Sequence, residues 1–325
     1  MNTHKLGYTD LQLTAIGLGT WAIGGSGWVY GWGPQDDKDS IAAIRRALDL
    51  GINWIDTAAV YGKGHSEEVV GKAIRGRRDE VIIATKCGRL LSEDGQSIFG
   101  GLKAQSVRKE AEDSLRRLRI DVIDLYQMHW PDPEEEIEEG WSTMAELVEQ
   151  GKVRYIGVSN FNVAQLKRIQ PIHPVASLQP PYSMLRREVE EEILPYCAAQ
   201  NIGVVVYSPM QTGLLTGKFT KERAASLGQD DWRSRSPYLQ EPELSINLQL
   251  VESLKPIAQR SGRTLAQLAI AWVLRRPEVT AAIVGARRPE QIEETAPAAD
   301  WQLSADEISE IEALLHQREQ ALTET

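Results

Sequence analysis

The stretch Ala104-Gln105-Ser106-Val107 through Leu118, followed by Val122-Ile123-Asp124-Leu125-Tyr126-Gln127-Met128-His129, decides the fold. Its first part sets Val107, Ala111, Leu115 and Leu118 at the three- and four-residue spacing of one helical face. Its second part is an apolar run of strand length that ends on polar residues. The same alternation runs along almost the whole chain. Strand candidates are Ala15 to Gly19, Asn53 to Asp56, Val81 to Lys86, Val122 to His129, Val153 to Ser159, Ala176 to Gln179, Val204 to Ser208 and Val279 to Val284. Between them lie helical patterns at Ser40 to Leu50, Ser66 to Ile74, Ala104 to Leu118, Ile137 to Gln150, Ala164 to Ile169, Glu188 to Gln200 and Thr264 to Leu274. Strands that each feed a helix form a parallel sheet, and eight of them close into a (β/α)8 TIM barrel; an open doubly wound sheet is the alternative. Two segments fall outside the repeat, a candidate N-terminal β-hairpin at Lys5 to Leu13 that would plug the barrel floor, and an extra C-terminal helix at Ser304 to Leu322. The expected organisation is one barrel domain over residues 1–325. The connection from Pro209 to Ser245 is too long for a simple loop and reads as an active-site flap.

Composition narrows the function classes. The chain is 42% hydrophobic and 25% charged, enough apolar residues for a large core, and its net charge of −10 carries no basic block, which argues against nucleic acid or an anionic membrane as partner. Apolar runs stay at strand length, well short of the roughly 18 residues a membrane helix needs. Two cysteines, Cys87 and Cys197, and no apolar leader after Met1 fit a cytoplasmic location.

In such a barrel the chemistry sits at the carboxyl ends of the strands. Here those ends read Ile55-Asp56, Ala84-Thr85-Lys86, Gln127-Met128-His129, Val158-Ser159-Asn160, Leu178-Gln179 and Tyr207-Ser208. Strand termination near water explains one or two polar ends, but not Asp, Lys and His on three successive strands. With Tyr61 in the loop after Asp56, they make a coherent acid. A phenol with a pKa of about 10 donates poorly near neutrality unless its anion is stabilised. Lys86 is expected to lower that pKa, Asp56 to hold Lys86 charged, and His129 to bond a carbonyl oxygen.

Gly51-Ile52-Asn53-Trp54-Ile55-Asp56-Thr57-Ala58 with Tyr61-Gly62, then Ala84-Thr85-Lys86, then Asp124-Leu125-Tyr126-Gln127-Met128-His129-Trp130-Pro131, resemble the motifs of the aldo-keto reductases over nearly the whole chain. The resemblance implies catalytic Asp56, Tyr61, Lys86 and His129, a nicotinamide cofactor bound without a Rossmann domain, and hydride transfer to a small-molecule carbonyl. It also implies that Ser159, Asn160 and Gln179 bind the carboxamide, that Tyr207 stacks on the nicotinamide, and that Gly19, Thr20 and Trp21 lie beside it. Ser208, Pro209, Met210, Gly213, Leu214 and Lys218 match the segment over the pyrophosphate. Gly285, Arg287, Gln291 and Glu294 match the adenosine-phosphate motif, where Val284 and Thr295 depart from the common Pro and Asn. Arg287 is the expected ligand of a 2′-phosphate, and NADPH is favoured over NADH. For Arg287 and Arg288 a surface pairing with Glu290 or Glu293 is the competing role, more so for Arg288. A cofactor-sensing subunit of the channel type, binding NADPH with little turnover, is the alternative function.

Other features carry less. Gly17-x-Gly19-x-x-Ala22 fits a loose dinucleotide fingerprint, but a glycine-rich loop and not a helix follows it. Trp28, Tyr30 and Trp32 crowd the loop after the first strand, where Trp21, Trp28 and Trp130 either wall an apolar substrate pocket or simply pack the loop. The run Glu134 to Glu136 reads as a solvated helix start, and strand alternation turns Cys87 away from Lys86. The scattered histidines show no metal-ligand spacing.

Overall fold

The computed structural model describes residues 1–324; Thr325, the last residue of the expected domain, lies outside the described residues. Eight parallel strands close into a barrel: β1 (Ile16–Gly19), β2 (Trp54–Asp56), β3 (Ile82–Cys87), β4 (Ile123–Met128), β5 (Val153–Ser159), β6 (Ser177–Gln179), β7 (Gly203–Val206) and β8 (Ala281–Gly285). Closure is made by β8 on β1, in the register Ala282 to Ile16 through Gly285 to Gly19. Each strand lies within a few residues of its sequence expectation, and the open sheet is excluded.

Alternation along each strand sorts its side chains. On β4, Tyr126 and Met128 pack outward with the helices, whereas Leu125 belongs to the inner cluster with Trp54, Ala84, Ala176, Val205 and Ala281. That inner cluster is completed from below by Leu6, Leu11 and Leu13 of the N-terminal hairpin, Thr3–Lys5 paired with Gln12–Thr14. The hairpin therefore plugs the floor. Its turn requires glycine: Gly7 sits at φ +52°, and a Cβ there would meet Asn201 O at 2.6 Å. With the floor filled by apolar side chains, the polar layer is confined to the opposite end.

Three elements differ from expectation. A second hairpin, Arg89–Leu91 with Ile98–Gly100, follows β3; Asp94-Gly95 between short apolar runs is a turn signal for it. The expected helix over Glu188 to Gln200 is a 3-10 turn, Glu188–Glu190, and then a helix, Ile193–Ala199. An 18-residue helix, Glu243–Arg260, runs through Pro256. A proline inside a helix costs about 3 kcal/mol, which burial of Leu250, Val251, Leu254 and Ile257 along its face offsets. The expected flap is an ordered strap of 3-10 turns (Gln211–Thr216, Trp232–Arg235, Pro237–Leu239) with a short helix, Lys221–Ala225. No described helix is long and apolar enough to cross a membrane.

Candidate active site

A cleft of about 820 Å³ opens at the carboxyl end of the barrel. Asp56, Tyr61 and His129 line it, and beneath them Lys86, which does not, donates through Nζ to Asp56 Oδ2 at 2.6 Å and to the Thr57 carbonyl at 2.8 Å, and stands 3.5 Å from Tyr61 Oη. Lys86 is 1% exposed and Asp56 3%. Two side-chain amides complete the layer. Gln179 Nε2 donates to Asp56 Oδ1 at 2.8 Å, and Gln127 Nε2 lies 3.4 Å from the same oxygen. Both carboxylate oxygens of Asp56 are therefore engaged, the condition for keeping an ion pair out of water. The His129 ring meets the Tyr61 ring edge to face, with centroids 5.8 Å apart.

Protonation follows from this burial. The Tyr61 phenol is pushed well above its usual range, first by desolvation and then by the charge of Asp56, with a further electrostatic contribution from Tyr207. This corrects the expectation that Lys86 lowers it: a buried neighbour at 3.5 Å does not outweigh lost hydration. Desolvation likewise pulls Lys86 below its usual value, against the pull of Asp56. His129 is held well below its ordinary pKa by desolvation, with Lys86 and Arg89 adding to the effect. At neutrality the site presents a protonated phenol, an ion pair and a neutral imidazole.

Beside this layer, Ser159 Oγ donates to the Gln179 carbonyl at 2.7 Å, and Asn160, at φ +63°, bonds the His129 carbonyl through Nδ2. Tyr207 donates to Asn160 Oδ1 at 2.9 Å. Gly19, Trp21, Ser208, Pro209, Met210, Gly213, Lys218, Gly285, Arg287, Gln291 and Glu294 all line the cleft. Two expected members do not. Thr20 is fully buried, bonding the Asp56 carbonyl through Oγ1 at 3.0 Å, and Leu214 packs into the outer core. Arg287, which lines the cleft, is also engaged within the protein. Its guanidinium is held by Gln35 Oε1 at 2.5 Å and by the carbonyls of Trp32 and Pro34, so it ties the loop after β1 to the cleft wall. Arg288 lines the same end without a carboxylate partner among the described residues, while Glu293 pairs with Arg46. Lys218 pairs with Glu294 nearby.

Trp28 is 5% exposed and packs at 6.1 Å from Tyr61, whereas Trp130 is 41% exposed at the mouth. Trp21 stacks between Tyr61 and Trp232, at 6.4 and 5.0 Å. All three expected pocket tryptophans reach the cleft. Gln127 and the Thr57 carbonyl were not singled out from the sequence; the i, i+2 relation of Gln127 to Leu125 and His129 is the signal that points it inward.

A family model described as "Aldo/keto reductase family" matches residues 15–316. The chain belongs to the aldo/keto reductase family. It is 43% identical over 318 residues to the aldo-keto reductase YhdN of Bacillus subtilis (strain 168), covering 97% of this chain and 94% of that one. Against the NADH-specific methylglyoxal reductase of Escherichia coli (strain K12), identity is 35% over 317 residues, covering 94% and 95%. The solved glycerol dehydrogenase AKR11B4 from Gluconobacter oxydans superposes with a TM-score of 0.88 at 38% identity, over 98% of this chain and 96% of its own. This aldo/keto reductase is thus a nicotinamide-dependent oxidoreductase acting on small-molecule carbonyl compounds.

The cleft fits such a cofactor by its chemistry. Amide and hydroxyl groups of Ser159, Asn160 and Gln179 gather beside the Tyr207 ring at one end, and the cations Lys218, Arg223 and Arg288 stand at the other. That is the donor set for a carboxamide at one end and phosphate at the other.

Proposed function

We propose that the protein reduces aldehydes or ketones to alcohols, with NADPH favoured over NADH and Tyr61 as proton donor. The observation that carries this reading is the buried contact set of Lys86, which reaches Asp56, Thr57 and Tyr61 together. When bound, the cofactor supplies the hydride.

The residues of the chain supply the rest. Tyr61, protonated at neutrality, gives its proton to the carbonyl oxygen, and neutral His129 beside it donates a hydrogen bond that orients that oxygen. The tyrosinate left behind faces the Lys86 ammonium, whose charge is worth more in this dry layer than in water. Asp56 acts through Lys86 by fixing its position, and Gln127 and Gln179 hold Asp56. Trp21 and Trp28 flank the phenol and keep water from it.

NADPH preference is supported by Arg288, a guanidinium free of carboxylates at the cleft end where Gln291 and Glu294 lie, and able to form charge-assisted bonds to a 2′-phosphate. The test is steady-state turnover of a panel of aldehydes, ketones and sugars with NADPH and NADH in parallel. Carbonyl-dependent oxidation faster with NADPH is the expected result. Tight binding of NADPH without turnover overturns the reading.

A further inference from the structure

Glu67 is a carboxylate with no exposed surface that bonds none of the proton-transfer groups, although its charge favours the Lys86 ammonium. It lies in the first turn of the helix His65–Ala73, which begins directly after the Tyr61 loop. From there its Oε1 accepts the Thr85 hydroxyl at 2.6 Å and its Oε2 accepts Arg117 Nε at 2.6 Å. Thr85 immediately precedes Lys86 on β3, and the two side chains point to opposite faces of that strand. The helix that follows Tyr61 is therefore bolted to the outer face of the strand that carries Lys86.

The preceding residue closes the same loop a second time. Ser66 Oγ lies 3.2 Å from Thr57 Oγ1 and donates to Thr20 O at 3.0 Å. Thr57 is the residue whose carbonyl receives Lys86 Nζ. The segment between Thr57 and Ser66, with Tyr61 near its middle, is thus pinned at both ends to backbone that also sets Lys86. Between the pins the loop itself turns on Gly62 and Gly64, at φ +61° and +93°, and Gly64 leaves the space through which the Arg117 side chain passes. A loop built on such turns does not hold a phenol by its own stiffness. The clamps fix its ends, while Trp21, Trp28 and His129 pack against the phenol ring between them.

We infer that Glu67 is a positioning residue for the Tyr61–Lys86 pair, acting through Thr85, with Ser66 as its partner at the loop end. This rests on Tyr61 being the proton donor. A carboxylate kept in the dry interior needs a cation and a full set of donors. Arg117 supplies the charge, while the Thr85 bond supplies a fixed distance between the acid loop and the lysine strand. An angstrom of misplacement at a reacting group is felt in turnover before it is felt in binding.

The test uses the full-length protein in two variants. Thr85→Val keeps a strand-forming side chain of the same shape and leaves the Glu67–Arg117 pair intact, and its kcat is referred to the folded fraction. Glu67→Gln keeps the size and removes the charge. Both are assayed for kcat and KM with a reducible aldehyde, for NADPH binding by fluorescence, for Tm, and for kcat in D2O. The expected result for Thr85→Val is a fall in kcat per folded enzyme of roughly tenfold, with NADPH affinity close to that of the parent and a lowered Tm, because one oxygen of the buried Glu67 carboxylate loses its donor. The solvent isotope effect on kcat rises, because proton delivery becomes slow. Glu67→Gln behaves likewise, with an added drop in Tm from the unpaired Arg117.

Parent-like kcat and isotope effect in Thr85→Val, or losses in both variants that track only the folded fraction, overturn the inference. Tyr61→Phe run alongside separates the two levels. If Tyr61→Phe abolishes turnover and Thr85→Val does not touch it, the clamp fails and the reading of Tyr61 stands; if Tyr61→Phe is itself active, the reading beneath it fails.

Discussion

Lys86 Nζ stands 3.5 Å from Tyr61 Oη and 2.6 Å from Asp56 Oδ2. In the resting site the ammonium belongs to the carboxylate, and the phenol keeps its proton. The cation is available to the tyrosinate once that proton leaves. Tyr61→Phe is therefore expected to lower kcat by about 10²- to 10⁴-fold while NADPH binding, read by fluorescence quenching, stays at the parent level. Full activity in that variant contradicts the assignment.

Lys86→Met leaves the buried Asp56 carboxylate without its cation. Breaking a buried pair from one side costs about 3–5 kcal/mol, so urea unfolding of this variant should show a midpoint well below that of the parent. Replacing both partners, Lys86→Met with Asp56→Leu, should recover much of the stability and none of the turnover. Equal stability of the single and double variants is the outcome that contradicts the account.

His129 is held neutral well below its ordinary pKa by desolvation and by the charges of Lys86 and Arg89. Activity should then show no imidazole titration between about pH 6 and 8, and a pH–rate profile checks this directly. For stability the sign follows from proton counting: between the folded pKa and the ordinary value the unfolded chain binds more protons. The contribution is present above the ordinary histidine pKa and is lost as pH falls through that window. His129→Gln should flatten this part of the stability curve.

Glu110 gives the opposite slope. Desolvation raises its carboxyl from 4.5 to about 8, although it accepts the Gly88 N–H and lies 3.3 Å from Ser106 Oγ. Between those two values the unfolded chain has lost the proton and the folded chain retains it. Stability therefore falls as pH rises from about 4.5 to about 8. Glu110→Gln should remove that slope in urea melts taken across the range; an unchanged slope argues that the carboxyl is ionised throughout.

The two adjacent arginines should separate kinetically. Arg288→Ala is expected to raise KM for NADPH roughly tenfold, the loss of a charge-assisted contact, with KM for NADH unchanged. Arg287→Ala loosens the loop after β1, which its guanidinium ties through Trp32, Pro34 and Gln35, and should weaken both cofactors alike. A specific NADPH defect in Arg287→Ala with none in Arg288→Ala reverses the assignment.

The barrel and its reacting rim were legible in the chain. Strand periodicity is a local property: the alternation that sends Leu125 and Gln127 inward and Tyr126 outward needs only the order of residues. A parallel barrel then gathers the carboxyl ends of its strands at one face, so Asp56, Lys86 and His129 meet there by topology alone. The glycine and aspartate of the second hairpin were legible too, although the short runs around them were not read as strands. Glu243–Arg260 was hidden by Pro256, whose local penalty is offset only by burial against the rest of the fold.

By itself, then, the sequence determined the barrel, the rim and the chemical types assembled on it. Only the tertiary structure decided which of two neighbouring arginines is engaged by loop carbonyls, that Thr20 and Leu214 turn away from the cleft, and that burial outweighs Lys86 in setting the Tyr61 proton. It also turned Glu67 from a first-turn acid into a buried clamp on Thr85. Each of these depends on side-chain direction and on the water removed by residues far apart in the chain, and desolvation is a property of the assembled neighbourhood that no local spacing encodes.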